Sequence, residues 1–578
     1  MEALLIMVLA FVGYLIMYQL YGKFIGNKIF AISDKNKVPS IELKDDTDFV
    51  PTKKEVIFGH HFSSIAGTGP IVGPAIAVIW GWLPALLWVF LGSIIMGAVH
   101  DFGSLIISMR NQGKSISEYT AKYINSRTKY FFFFIVFLEL WIVVSIFGLV
   151  IAILFNMYPG SVLPVWLQIP IAVTLGYMIY KKGVNATKGA IISVIIMYAT
   201  IIIGTYVPLS LPSSIFGLSP IAIWSIILLL YAFTASVLPV THLLQPRDYI
   251  NAYQLLIAMA LLVLGVLFAG FGGNLNVVAP AVQATPAGAP PLWPFLFITI
   301  ACGAISGFHS LVSSGTSAKQ VRQESDSIFV GYGAMLTEGA LATLVIIATV
   351  AGIGMGYTAN GQTLFGIPAW TSHYSSWAAA AGLGSKVGAF VVGAANLLAS
   401  FGIPKAISIV IMGVFVASFA GTTLDTATRI QRYLLTETFP STFKNKYFST
   451  AVVILCALAL IFSTGASGKG ALALWPLFGA VNQTLAALAL IIITVYLKEK
   501  LSWGWIVSGI PAAFMLVMSL WATILNQVSF GKQNNILLQV INVIIIVSMI
   551  WVAIEGFTKF FKTKTLVPPE VETVHDTI

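Results

Sequence analysis

The chain has 578 residues, 58% of them hydrophobic and 9% charged, with a formal net charge of +10 at neutral pH. Soluble domains carry about 25% charged residues, so this composition excludes an ordinary globular enzyme and points to an all-α polytopic membrane protein. The Lys and Arg lie between apolar runs, which fits the positive-inside rule better than a nucleic-acid surface.

Runs of roughly 20 apolar residues can cross a bilayer. They fall near 3–22, 56–80, 82–108, 130–156, 163–181, 188–208, 219–243, 251–272, 293–317, 330–356, 386–403, 406–428, 448–464, 471–497, 503–525 and 535–558, sixteen candidates in all. The first lacks a basic start and a small-residue cleavage site and reads as a retained span, not a signal peptide. Cys302 and Cys456 fall inside apolar runs, which implies neither a disulfide framework nor a zinc site.

Seven lysines lie in 23–55, and further basic residues cluster at 109–129, at 181–188, at Arg247 and at Lys319 and Arg322. The loops near 81, 157–162, 209–218 and 273–292 carry no Lys or Arg. This alternation predicts an external N-terminus and a cytoplasmic first loop. If 386–403 and 406–428 both crossed, Arg429, Arg432, Lys444 and Lys446 would lie outside. A re-entrant 386–403 restores the rule and puts the C-terminus in the cytoplasm, with fifteen spans; an extra crossing within 357–385 would serve equally. Segment 109–129 reads as an amphipathic surface helix and 273–292 as an external loop. The tail beyond Lys564 is polar and expected to be disordered.

Residues 58–74 are oddly polar for a span, with two His, two Ser, one Thr, four Gly and two Pro. Backbone broken at membrane depth is tolerated where it is buried in protein or lines a watery cavity. This stretch therefore reads as a binding site for a solute, an ion or both. Gly59, His61, Gly67 and Thr68 recur at identical spacing as Gly307, His309, Gly315 and Thr316. Polar, glycine-broken helices at corresponding places in two inverted halves mark transporter binding sites, although the first copy falls early in its span and the second late. The division that follows is 1–55 (first helix and lysine-rich loop), 56–208 (first repeat), 209–292 (two intervening helices), 293–497 (second repeat, with 357–404 re-entrant) and 498–578 (two terminal helices and tail). Ten contiguous spans, the second to the eleventh, are the competing division.

His60, His61 and His309 are candidates to bind a substrate carboxylate or exchange protons, or else to tie helices together as buried ring donors. Ser64, Gly67, Thr68, Gly69, Ser313, Ser314 and Asn482 complete the candidate substrate set. Thr422 and Thr423, with carbonyls at Phe419, Ala66 and Gly69, suit a hard cation such as sodium; the alternative is bonding of the hydroxyls to their own helix. Asp101, Glu139, Glu338 and Asp425 are intramembrane carboxyls and candidate proton carriers. Asp425 is alternatively a structural partner of Arg429 one turn on. The segment 238–248 reads mainly as structure, and no nucleotide-binding loop or nucleophile elbow stands in a fitting context.

Five blocks carry a resemblance: residues 58–70, His100 to Ser104, 306–316, Thr422 to Arg429, and Trp475 to Gln483. Together they resemble the carbon starvation protein A (CstA) family, which commonly has Gln where this chain has His100. The resemblance implies an inner-membrane secondary transporter, active when preferred carbon sources run out, that takes up peptides or pyruvate with protons or sodium. It implies no other cofactor. It also implies membership of the amino acid–polyamine–organocation superfamily, with the five-plus-five inverted repeat of the leucine transporter. In that fold the first helix of each repeat is broken, and sodium often sits between the first and eighth core helices. Residues 58–74 and 416–428 would take those roles. The expectation is a cation-coupled symporter with about 15–16 transmembrane helices; an uncoupled uniporter or channel, or a membrane solute sensor, are the rivals.

Overall fold

The computed structural model describes residues 2–359 and 361–564. The tail expected beyond Lys564 lies outside them. Among the described residues twelve helices are long and apolar enough to cross a membrane. They are α1 (Glu2–Ile29), α4 (Trp82–Met109), α5 (Thr128–Met157), α6 (Pro159–Lys182), α7 (Ala186–Tyr206), α8 (Pro220–Val237), α9 (Leu244–Phe271), α12 (Glu324–Met355), α14 (Lys405–Thr438), α16 (Gly470–Lys500), α17 (Ile506–Lys532) and α18 (Ile536–Lys562).

The other expected spans are shorter or interrupted, which is why twelve stand where fifteen or sixteen were counted. The span at 56–80 is two helices, α2 (Lys54–Ile65) and α3 (Gly69–Trp80), bent by 45°. The span at 293–317 is α10 (Leu292–Thr299) and α11 (Gly307–Gly315), separated by non-helical backbone. The span at 448–464 is α15 (Lys446–Ile461), and that at 386–403 is α13 (Leu383–Ala399).

Contacts fix the directions of the broken helices. Thr52, just before α2, pairs with Val321, just after α11, while the Trp80 indole at the end of α3 donates to Pro290 O (3.0 Å) before α10. The two broken helices therefore run antiparallel through the bundle, as the halves of an inverted repeat require.

Helix α13 lies across one end of the bundle. Gly384 and Gly388 pack on Met157 at the end of α5, and the Phe401 ring lies tilted against Phe268 (centroids 5.7 Å apart) at the end of α9. A small hairpin of β1 (Tyr357–Ala359) and β2 (Gln362–Leu364) precedes it. The segment 109–129 contains the predicted short helix, Ile116–Tyr123.

Helices α5, α14, α12 and α16 form the buried centre. The outer helices present Leu9, Ile195, Ile510 and Ile554 to the surroundings. Such apolar exposure fits lipid, where association relies on close packing of small residues. Gly393 of α13 shows that packing: a Cβ there would collide with Ala348 O of α12.

Gly393→Val should cost about 1–3 kcal/mol through overpacking, seen as a lower unfolding temperature in detergent. Gly384→Ala, facing the flexible Met157 side chain, should melt close to wild type. Equal melting of Gly393→Val and wild type would contradict this packing.

Candidate functional site

Each helix break has side chains assigned to its freed backbone. At the first, Pro70 has no N–H, and Ile71 and Val72 donate instead to Thr68 O (3.2 and 2.8 Å). The neighbouring Gly67 is required by space, because a Cβ would strike the Thr423 hydroxyl and the Phe147 ring. At the second break, Asn482 Oδ1 accepts from the Phe308 amide (2.8 Å) at the start of α11. Gln483 Nε2 donates to Phe297 O (2.8 Å) near the end of α10. The two adjacent amides of α16 thus hold the two ends of the interrupted helix.

A cavity of about 700 Å³ reaches both breaks, with Thr68 and Gly69 on one side and Ala301 and Cys302 on the other. Its walls include Phe295, Trp377 and Trp475. Of the sequence-derived substrate candidates, Thr68 and Gly69 line it. The rest lie behind it or at the far end of the bundle.

The echoing motifs meet face to face. His60 Nε2 lies 3.2 Å from Thr316 Oγ1, and His61 Nδ1 lies 2.8 Å from Ser317 Oγ. Both motifs occupy the half-helices at one end of the bundle, α2 and α11. The inverted-repeat symmetry instead relates the breaks at 66–68 and 300–306, so the identical spacing is not itself the repeat. Motif one runs into its break, with Gly67 and Thr68 inside it, whereas motif two follows its own, which explains the offset.

His60 Nδ1 also pairs with Asp248 (2.6 Å), whose carbonyl accepts from Ser63 Oγ (2.9 Å). Ser314 Oγ accepts from the Ile116 amide (3.1 Å), securing the surface helix. Ser64 Oγ bonds with Thr426 Oγ1 (3.0 Å). Ser313 is fully buried.

The cluster nearest the cavity centres on His309. Its Nδ1 lies 2.8 Å from Asp101, and its Nε2 lies 3.3 Å from Glu338. Asp101 also contacts His100 Nδ1 (2.8 Å). All of these groups are fully buried. The possible ligand atoms of Cys302, His309 and Glu338 lie within 4.8 Å of one another. Three donors, with Asp101 orienting the imidazole, could hold a borderline divalent ion but fall short of a closed four-ligand structural site.

The candidate ion site is drawn together with the expected Phe419 carbonyl, but with Ser63 and Ser64 in place of Ala66 and Gly69. Thr422 Oγ1 donates to Ser63 O (2.8 Å) and Phe419 O (2.9 Å), and Thr423 Oγ1 to Ser64 O (3.0 Å). The hydroxyls thus reach carbonyls one turn before the break, because α14 packs along the last turn of α2. Gly69 packs instead on Cys302.

The remaining carboxyls part company. Asp425 is paired with Arg247 and with the Tyr231 hydroxyl (2.8 Å), not with Arg429. Arg429 binds Asp48 (2.8 Å), anchoring the first loop. Glu139 is buried in α5 with no hydrogen-bond partner among the described residues.

The sequence profile described as "Carbon starvation protein CstA" matches residues 2–522. The chain belongs to the CstA family. "Peptide transporter CstA" of Bacillus subtilis (strain 168) is 33% identical over 546 residues, covering 89% of each chain. "Pyruvate/proton symporter BtsT" of Escherichia coli (strain K12) is 32% identical, covering 92% of this chain and 82% of that one. These relatives are transporters, not enzymes. The fold is similar to that of a manganese transporter from Eremococcus coleocola, with a TM-score of 0.51 and 13% identity over 90% of this chain and 99% of that one. This CstA-family chain is a multi-pass membrane protein with the leucine-transporter-like five-plus-five inverted repeat.

Arg247 and Asp248 fall in 238–248, which reads mainly as structure, with prolines that mark turns at the edge of an apolar run. They instead open α9 and are buried against α2 and α14. Cys302 resembles any apolar-run cysteine until the break brings it to His309.

Removing one partner of a buried ion pair costs about 3–5 kcal/mol, whereas replacing both can be neutral. Asp425→Leu should therefore melt well below wild type, and Asp425→Leu with Arg247→Met should recover most of the loss. A double variant no more stable than the single would show that the pair does not govern stability.

Proposed function

We propose that this protein is a cation-coupled symporter that imports small carboxylate-bearing solutes, peptides or pyruvate, across the bacterial inner membrane during carbon starvation. It works by alternating access, with the N-terminus outside and the C-terminus in the cytoplasm. Domains 56–208 and 293–497 act as the two repeats. Support comes from the relatives' names, from the antiparallel broken helices and from the cavity that joins their breaks.

The observation that carries the coupling is His309 between Asp101 and Glu338. With the imidazole protonated and both carboxyls ionised, these three groups sum to one negative charge. One further proton makes the set neutral. Charge in the membrane interior is costly, so neutralising this cluster favours rearrangement of α11 and α12 around the loaded cavity. In this scheme Asp101 and Glu338 are the proton carriers; Asp425, held by Arg247, is structural.

A sodium reading has its own support in the oxygens of Thr422, Thr423, Ser63 and Phe419. There a sodium ion would replace the hydroxyl-to-carbonyl bonds between α2 and α14. In that case Thr422→Val with Thr423→Val would abolish sodium stimulation.

Uptake of labelled pyruvate and dialanine into proteoliposomes, under separate proton and sodium gradients, tests the proposal. Wild type should accumulate solute against its gradient when the outside is acidic. Glu338→Gln should lose that accumulation but retain solute exchange at comparable rates. Uptake that only equilibrates under either gradient would indicate a uniporter or channel, and binding without uptake a sensor.

A further inference from the structure

We infer that Lys386 is the cation that receives the substrate carboxylate in the cavity. This rests on the transport reading and names the chemistry of its site. Lys386 lies in the first turn of α13, the helix across the end of the bundle, and is 5% exposed. Its ammonium sits 5.0 Å from the centroid of the Trp475 ring, the start of the helix whose amides secure the second break.

Among the described residues no carboxylate or hydrogen-bond acceptor pairs with the Lys386 ammonium. Several buried cations near this core have an acidic partner: Arg247 has Asp425, Arg429 has Asp48, His60 has Asp248 and His309 has Asp101, whereas buried Lys319 and Arg432 lie against the Tyr433 ring. Lys386 too stands without an ion pair among the described residues, and unlike Lys319 and Arg432 it does so on the wall of the cavity.

The cavity wall reinforces the sign. Lys386 and Lys532 line it, and among the described residues no Asp or Glu does. Trp475 offers the ammonium a π face but cannot neutralise it. Burying a charge without a partner is unfavourable, so the site is completed by an anion that enters and leaves. At the inner part of the same cavity α3 begins at Gly69, and a helix N-terminus also favours negative charge. The path from Lys386 to the break is thus favourable to a carboxylate along its length. Phe295, Phe478 and Trp377 supply apolar walls for a small organic body.

The ligand class is an organic carboxylate, either a free 2-oxo acid or the C-terminus of a short peptide. Helix α13 packs on both α3 and α14, so Lys386 belongs to a helix in contact with the first break and with the helix of Thr422 and Thr423.

The test uses full-length protein in proteoliposomes with labelled pyruvate, labelled dialanine and dialanine amide as competitor. Lys386→Gln should raise KM about tenfold with kcat retained, and Lys386→Arg should stay within about threefold of wild type. The amide should compete far more weakly than the free dipeptide. A response to pyruvate alone, or to dialanine alone, identifies the source of the carboxylate. Unchanged KM in Lys386→Gln, or equal competition by the amide, overturns the assignment while leaving transport intact. If wild type moves neither solute, the transport reading fails by itself. Binding of the same solutes to detergent-solubilised wild type and Lys386→Gln, followed by tryptophan fluorescence, then decides Lys386: affinity that weakens in the variant supports it, and equal affinity or no binding overturns it.

Discussion

Interrupting a helix at membrane depth frees backbone groups that hydrocarbon cannot satisfy, and the organisation of this bundle follows from how they are satisfied. Asn482 and Gln483, consecutive on α16, take the start of α11 and the end of α10. Thr422 and Thr423, consecutive on α14, take the carbonyls of Ser63 and Ser64. Each broken helix is therefore held by a neighbouring intact one through a pair of adjacent polar side chains. Such bonds can be exchanged for bonds to a ligand or an ion without exposing backbone to lipid, which makes the breaks the places where the protein can respond to what it carries.

Charge is distributed around the same breaks. At the end of the bundle where α2 meets α11, most buried charges are paired, His60 with Asp248, Arg247 with Asp425 and Arg429 with Asp48, while Lys319 and Arg432 lie against the Tyr433 ring. At the centre, one histidine stands between two carboxyls. In the cavity beyond, a lysine has only an aromatic face. The sequence of environments runs from satisfied, through one proton short of neutral, to open for an anion.

Much of the architecture was legible in the sequence. Apolar runs located every membrane helix, and loop charges singled out 386–403 as the segment that does not traverse the bundle. The interruption at 66–69 was visible because Gly67, Gly69 and Pro70 are local signals. The second interruption was harder to see, since Ile300 to Ser306 contains one glycine and no proline; it is imposed by Asn482 and Gln483, far away in sequence. The His motifs were legible as a pair but misleading as a symmetry, because spacing says nothing about which side of a break a motif lies on. Lys386 carries no local signal in the sequence beyond opening the run read as re-entrant. The role proposed for it rests on a cavity wall without acids among the described residues, which only three-dimensional neighbours reveal.

Coupling is the central claim, and movement of protons with substrate tests it most directly. Proteoliposomes with equal pH on both sides, a trapped pH-sensitive dye and an ionophore to clamp the membrane potential would be given an inward pyruvate or dialanine gradient. The account predicts that the lumen acidifies in step with solute entry in wild type, and that Glu338→Gln moves solute without acidification. Solute entry in wild type with no change in lumenal pH would contradict proton coupling through the His309 cluster.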